Sequence, residues 1–179
     1  MKSAINEIRS GKSFILEAAP FTRQYYSPMT IPGMEEPFHH SINHNMEIPT
    51  GNSPEDVAAR RRIIANFYRE WKIANPSLKR YNLSLKEDIN IRHVSITETC
   101  THASRTYLST LAVLQLDAIL TYAKKVGIVP VKDNENQKPF EKIIVMKYEC
   151  PGIGIVKMTV GVRRGNHEKV QYCITAIEG

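Results

Sequence analysis

The stretch RHVSITETCTHASR, residues 92–105, gathers His93, His102, Ser104 and Arg105 around an expected strand-to-helix junction. An imidazole can give and take a proton near neutral pH, and a guanidinium can hold charge that develops on a phosphate. The three-residue spacing of His102 and Arg105 puts both on one helical face. A helix start also favours anions through its free N–H groups and dipole. His93, His102 and Arg105 are therefore the candidates for metal-free phosphodiester chemistry. The competing expectation is plainer: Thr and Ser cap the helix and His102 is a surface residue.

A second set lies in the C-terminal strands. In GIVKMTVGVRR, Val156, Met158, Val160 and Val162 alternate with Lys157, Thr159, Gly161 and Arg163. In KVQYCITAI, Val170, Tyr172, Ile174 and Ala176 alternate with Lys169, Gln171, Cys173 and Thr175. With the apolar face on a helix, the other face shows Lys157, Thr159, Arg163, Gln171 and Thr175 together. Lys157, Arg163, Arg164, Lys169, Gln171 and Thr175 are the candidate contacts to RNA or DNA. A solvated outer face explains the same alternation. The charged knot from Arg163 to Lys169 has Gly165-Asn166 at its centre, which reads first as a hairpin turn.

Other groupings carry less. His39, His40 and His44 in FHHSINH have no neighbouring cysteine, and Pro37 and Pro49 deny them a long helix, so no metal site is expected. SGKS, residues 10–13, lacks the earlier glycine and upstream strand of a phosphate loop. Cys100, Cys150 and Cys173 form no C-x-x-C pair and suit free thiols in a reducing compartment. No cofactor is indicated.

These residues need elements to hold them. Ser53, Pro54 and Asp56 are the N-cap, N1 and N3 of a helix that Asn75-Pro76 ends. Val57, Ile64, Phe67, Trp71 and Ala74 give it an apolar stripe, with Arg60, Arg61, Arg62, Arg69 and Lys72 as its charged side. INIRHVSI, residues 89–96, alternates as a strand. One long helix then follows, capped by Thr99 or Thr101, with Lys124 and Lys125 in its last turn and Gly127 after it. Three strands, KIIVMKYE, GIVKMTVGVRR and KVQYCITAI, complete an antiparallel meander. The expected class is α+β: a long helix packed on a sheet made of that meander and one earlier strand.

The chain has 179 residues, 42% hydrophobic and 23% charged, which suits a folded domain. Its formal net charge is +6, concentrated beyond residue 52. A basic body is compatible with a polyanionic partner. No apolar run is long enough to span a bilayer, and no signal-peptide pattern opens the chain, so a cytoplasmic protein without a membrane partner is expected. Residues 1–52 read as a proline-rich arm with a short helix over 3–10, and residues 53–179 as the body. Phe21, Tyr25, Tyr26, Met29, Ile31, Phe38, Ile42 and Ile48 suit that arm, over residues 20–50, to packing on the body, on a protein partner or on another copy.

INIRHVSITETCTHASRTYLSTLAVLQLDAIL, NQKPFEKIIVMKY and IVKMTVGVRRGNHEKVQYCITAI together resemble small domains of phages and conjugative elements. Some of these are grouped as domains associated with large polyvalent proteins, others as nucleases of the barnase, EndoU, colicin and RelE-like (BECR) class. The likeness covers roughly residues 80–178. It implies a helix followed by a sheet meander, a mobile-element context and, for the nuclease class, RNA as substrate. His93, His102, Arg105, Lys157, Arg163 and Thr175 are the positions it directs attention to. The leading expectation is a non-catalytic module that binds nucleic acid or protein. A metal-independent ribonuclease and an assembly protein that oligomerises through the arm are the alternatives.

Overall fold

The computed structural model describes residues 47–177. The expected helix over 3–10, most of the 1–52 arm and the His39, His40 and His44 group lie outside the described residues.

Helix α1, Pro54–Ala74, forms as its cap signals predict. Ser53 Oγ accepts from Asp56 N at 3.1 Å, and Asp56 Oδ2 accepts from Ser53 N at 3.2 Å. Ile64, Phe67, Tyr68 and Trp71 are buried along it, while Ala74 is exposed. Arg60 is a correction: it belongs to the buried face, not the charged one. Its guanidinium donates to four backbone carbonyls, Pro49 O (2.8 Å), Gly51 O (2.6 Å), Ser104 O (2.8 Å) and Arg105 O (3.2 Å).

Two short strands follow, β1 (Lys79–Asn82) and β2 (Glu87–Asn90), paired antiparallel. The strand expected over 89–96 therefore stops at Asn90, and His93 opens helix α2, His93–Ala103. The β-branched Val94, Ile96 and Thr97 favour a strand locally, but Ser95 resolves the conflict. Its hydroxyl accepts from Arg92 N at 2.9 Å and donates to Gln171 O at 2.5 Å, tying the first turn of α2 to the sheet. Tertiary contact overrides local propensity here.

The single long helix is corrected to three: α2, α3 (Tyr107–Val113) and α4 (Leu116–Tyr122). Ser104 and Thr106 make the first break. Ser104 Oγ donates back to Cys100 O at 2.6 Å, and Thr106, not Thr99 or Thr101, is an N-cap, accepting from Ser109 N at 3.2 Å. Lys124, Lys125 and Gly127 do not end a helix. They lie in strand β3, Lys124–Val129, whose Val126, Ile128 and Val129 are β-branched.

Strands β4 (Phe140–Cys150), β5 (Gly154–Arg163) and β6 (Lys169–Ala176) complete a six-stranded mixed sheet in the order β1-β2-β6-β5-β4-β3. The expected meander plus one strand is thus only part of a larger sheet. β2 joins β6 in parallel, and only at Lys169 and Val170. Beyond that point α2 and α3 take over the free edge of β6, where Ser109 Oγ accepts from Ala176 N at 3.0 Å. Among the described residues, no helix is long and apolar enough to cross a membrane.

One face of the sheet carries the main core: Ile144, Met146, Val156, Met158, Val160, Val162 and Ile174 pack with α1, α3 and α4. A smaller apolar cluster, Phe140, Ile143, Val170 and Tyr172, forms apart from it, with Val94 packed against it. Strand alternation puts Gly161 and its partner Ile143 on the face opposite Val160 and Ile144. Gly161 has a reason to be glycine, because a Cβ there would meet three ring carbons of Phe140 at 2.5–2.7 Å. The Phe140 ring therefore lies directly over Gly161, on that second face.

Candidate functional site

The second face of the sheet is where most of the candidate residues stand. Its centre is strand β5, where Lys157, Thr159, Gly161 and Arg163 alternate with buried neighbours. Cross-strand partners project on the same side. The register aligns Lys124 with Lys147, Lys147 with Lys157, and Lys157 with Thr175. Three lysines thus stand side by side across β3, β4 and β5, with strands about 4.8 Å apart. All three are exposed, and none makes an ion pair among the described residues. Like charges directly opposite each other oppose sheet formation. Lys157 and Thr175 were legible as candidates. Lys124 and Lys147 were not, because Lys124, Lys125 and Gly127 carry a helix-end pattern and the register is invisible in sequence.

At the other end of β5 a cleft of about 270 Å³ opens beside Arg163. Val94, Pro139, Phe140 and Val170 give it an apolar lining, and Arg92, His93, Arg163, Glu135 and Asn136 supply polar groups. His93 and Arg163 are thereby brought together. Glu168 links the arginines: its carboxylate accepts from Arg92 Nε at 3.0 Å, from Arg92 Nη2, and from Arg163 Nη1 at 3.5 Å. The Glu168 side chain is only 13% exposed, against 48% for Arg92 and 45% for Arg163.

Along α2, Val94, Glu98 and His102 recur every four residues and so form one stripe. Glu98 Oε2 lies 3.6 Å from His102 Nε2, an ion pair when the imidazole is protonated. Glu98 Oε1 accepts from Asn136 Nδ2 at 2.6 Å, which joins this stripe to the cleft. The Tyr172 hydroxyl is pushed up to about 12, by burial above all, while a hydrogen bond with Gln137 pulls it down and one with Glu98 adds to the rise. Tyr172 packs edge-on against Phe140, with centroids 5.9 Å apart. Glu98 and Tyr172 were missed from sequence. The four-residue spacing of Glu98 and His102 was the available signal for the first; nothing local marked the second.

The setting of His102 and Arg105 is corrected. α2 runs from His93 to Ala103, so His102 stands in its last turn, where cations complement the negative pole of the dipole, and Arg105 lies between the C-cap Ser104 and Thr106, the N-cap of α3. Arg105 is exposed, and both it and Lys157 oppose the rise that burial imposes on the Cys173 thiol, which is pushed up to about 12. Burial likewise pushes the Cys150 thiol up to about 11. Protonated thiols of this kind are poor nucleophiles.

Three candidates from the C-terminal strands are placed otherwise. Gln171 is fully buried on the core side, so it cannot contact a partner. The reason is a bulge: Thr159 pairs with Cys173 and Val160 with Gln171, which leaves Tyr172 as an extra residue and reverses the sidedness of what precedes it. Lys169 is mostly covered and its Nζ lies 2.6 Å from Glu87 Oε2. Arg164 Nε donates to Lys138 O at 3.2 Å. The knot itself is a turn, with Gly165 at φ +86° and His167 at φ +56°. His167 Nδ1 lies 3.2 Å from Glu141 Oε1.

Among the described residues no group of three or more His, Cys, Asp or Glu side chains is arranged to hold a metal ion. Comparison with known proteins gives no match to a family model, a curated protein or a solved structure.

Proposed function

We propose that this chain is a nucleic-acid-binding accessory domain that presents the second face of its sheet to the phosphate backbone. The observation that carries this is the row Lys124, Lys147 and Lys157. A folded protein gains nothing internal from three unpaired lysines on adjacent strands, whereas a phosphate chain lying across them relieves the repulsion and releases counterions. Arg105 and Arg163 extend the same basic character. The mobile-element context that the resemblance implies is part of the same proposal.

Binding of a short RNA should weaken steeply between 50 and 200 mM salt. The triple variant Lys124→Ala/Lys147→Ala/Lys157→Ala should lower the slope of log affinity against log salt by about 2, since each phosphate contact to a single strand contributes about 0.7. Fluorescence anisotropy reads this directly, with circular dichroism to verify folding. An unchanged slope in a folded triple variant would remove the lysine row from the interface.

The Glu98–His102 pair favours a second proposal, a metal-independent ribonuclease with His102 as the proton-transfer group and Arg105 beside it. Electrophoresis of the same RNA, incubated with chelator, tests it. Cleavage that persists with chelator and vanishes in a folded His102→Ala/Arg105→Ala variant would establish the enzyme; intact RNA would leave the binding module.

A further inference from the structure

We infer that the cleft beside Arg163 is a nucleotide subsite for single-stranded nucleic acid. One unstacked base enters the apolar cleft, and its phosphate takes Arg92 and Arg163 from Glu168. This rests on the nucleic-acid reading above and gives it a substrate form.

The cleft has the dimensions and lining for one base. At about 270 Å³ it falls just below the range of about 300–1,000 Å³ typical of sites for drug-sized ligands. Val94 and Pro139, over the nearly buried Phe140 and Val170, give it an apolar floor that accepts a flat ring, and Arg92, His93, Glu135, Asn136 and Arg163 form its polar rim. A base in a duplex has both faces stacked and cannot enter. Recognition of unpaired bases on apolar or aromatic surfaces, with basic groups on the backbone, is how sequence-tolerant binding of single strands is achieved.

The phosphate position follows from the arginines. Arg92 and Arg163 come from different elements, the N-cap of α2 and the end of β5, and converge on one carboxylate. Guanidinium pairs of this kind suit a phosphate as well as a carboxylate. Glu168 occupies the position in the free protein and screens both cations. It sits at the end of the β5–β6 turn, so a change of its own side-chain rotamer releases them. Arg163 and Lys157 lie six residues apart on β5, roughly 20 Å, so a strand seated in the cleft can continue along the face to the lysine row.

The test uses the full chain and labelled 12-nucleotide strands of one sequence, as RNA and as DNA. Each is offered intact, with one central abasic position, and as duplex. Glu168→Gln keeps the side-chain shape and removes the competing charge. It should bind intact single strands about fivefold more tightly, the scale of freeing a partly exposed ion pair. Val94→Phe should fill the cleft and abolish the preference for intact over abasic strands, leaving the salt-dependent part. Comparison of the RNA and DNA arms reports which sugar the face accepts. The subsite is overturned if Glu168→Gln and Val94→Phe, both folded, bind all strands as the parent does while the lysine triple variant still weakens binding. Equal affinity for single strand and duplex overturns it too. Absence of binding to every strand at 50 mM salt removes the nucleic-acid reading itself, and the subsite with it.

Discussion

Arg60→Leu is expected to lower global stability by about 3–5 kcal/mol, among the larger effects a single substitution produces. Arg60 is fully buried and is one of the largest enclosed side chains. Its partners are four carbonyl oxygens from two separate segments, Pro49 and Gly51 on one side and Ser104 and Arg105 on the other. The charge thus serves as a bolt joining the lead-in to α1, α1 itself and the turn between α2 and α3. Hydrogen bonds from a charged donor are worth about 1.5–3 kcal/mol each, and a carbonyl left buried without a donor costs about 1–3 kcal/mol. Leucine fills part of the volume and satisfies none of the four. Arg60→Lys should recover only part of the loss, since one ammonium on a flexible stem cannot reproduce the planar fork. In urea, with a slope of about 2 kcal/mol/M, the leucine variant should unfold roughly 2 M earlier than the parent. A midpoint shift too small to resolve would mean that water replaces the guanidinium at little cost.

Arg60 also shows how the sequence misleads. In AARRRI the three arginines look alike, and a helix with a charged side is the natural expectation for all of them. The lead-in at Pro49 and Gly51 and the turn at Ser104 and Arg105, 44 and 45 residues away, distinguish Arg60 from Arg61 and Arg62. Features governed by neighbours along the chain were legible: the Ser53–Asp56 cap, the stop at Asn75-Pro76, and the three strands bounded by Gly-rich turns. The α+β class followed from them. The failures share a cause, a local signal met by a stronger distant one. Val94 and Ile96 suggest a strand, yet Ser95 anchors a helix to β6. Lys124, Lys125 and Gly127 imitate the end of a helix, yet they pair with β4 as an edge strand. The lysine row could not be seen, because it exists only in the register of three strands separated by turns. His93 and Arg163 were legible as residue types but not as neighbours, and nothing local marks Glu168 in the charged knot as the carboxylate between the arginines.

Gln171→Leu should destabilise the fold by about 1–3 kcal/mol, because it takes the close partner from two buried hydroxyls and leaves Tyr68 Oη and Thr99 Oγ1 only each other, at 3.5 Å. Gln171 Oε1 accepts from Tyr68 Oη at 2.9 Å, and Gln171 Nε2 donates to Thr99 Oγ1 at 2.9 Å. All three residues are fully buried, and they join α1, α2 and β6 at one point. Burial pushes the Tyr68 hydroxyl above the usual tyrosine range, so it stays a donor at any working pH. The bulge at Tyr172 is what turns Gln171 inward, so the polar triad and the irregular register of β5 and β6 have one origin. The asymmetry of buried hydrogen bonding gives a sharper outcome than the single substitution. Tyr68→Phe/Gln171→Leu/Thr99→Val removes every polar group of the triad and should be more stable than Gln171→Leu alone, even though it carries two further changes. Chemical denaturation of the parent, the single variant and the triple variant decides it. If the triple variant is instead the least stable, losing about the sum of three separate changes, the cost lies in packing and the triad contributes little as a network. Recovery in the triple variant would identify the triad as a specification of register: a polar core network that is costly to break and cheap to replace, retained where β6 must present Gln171 to the helices and Cys173 and Thr175 to the opposite face.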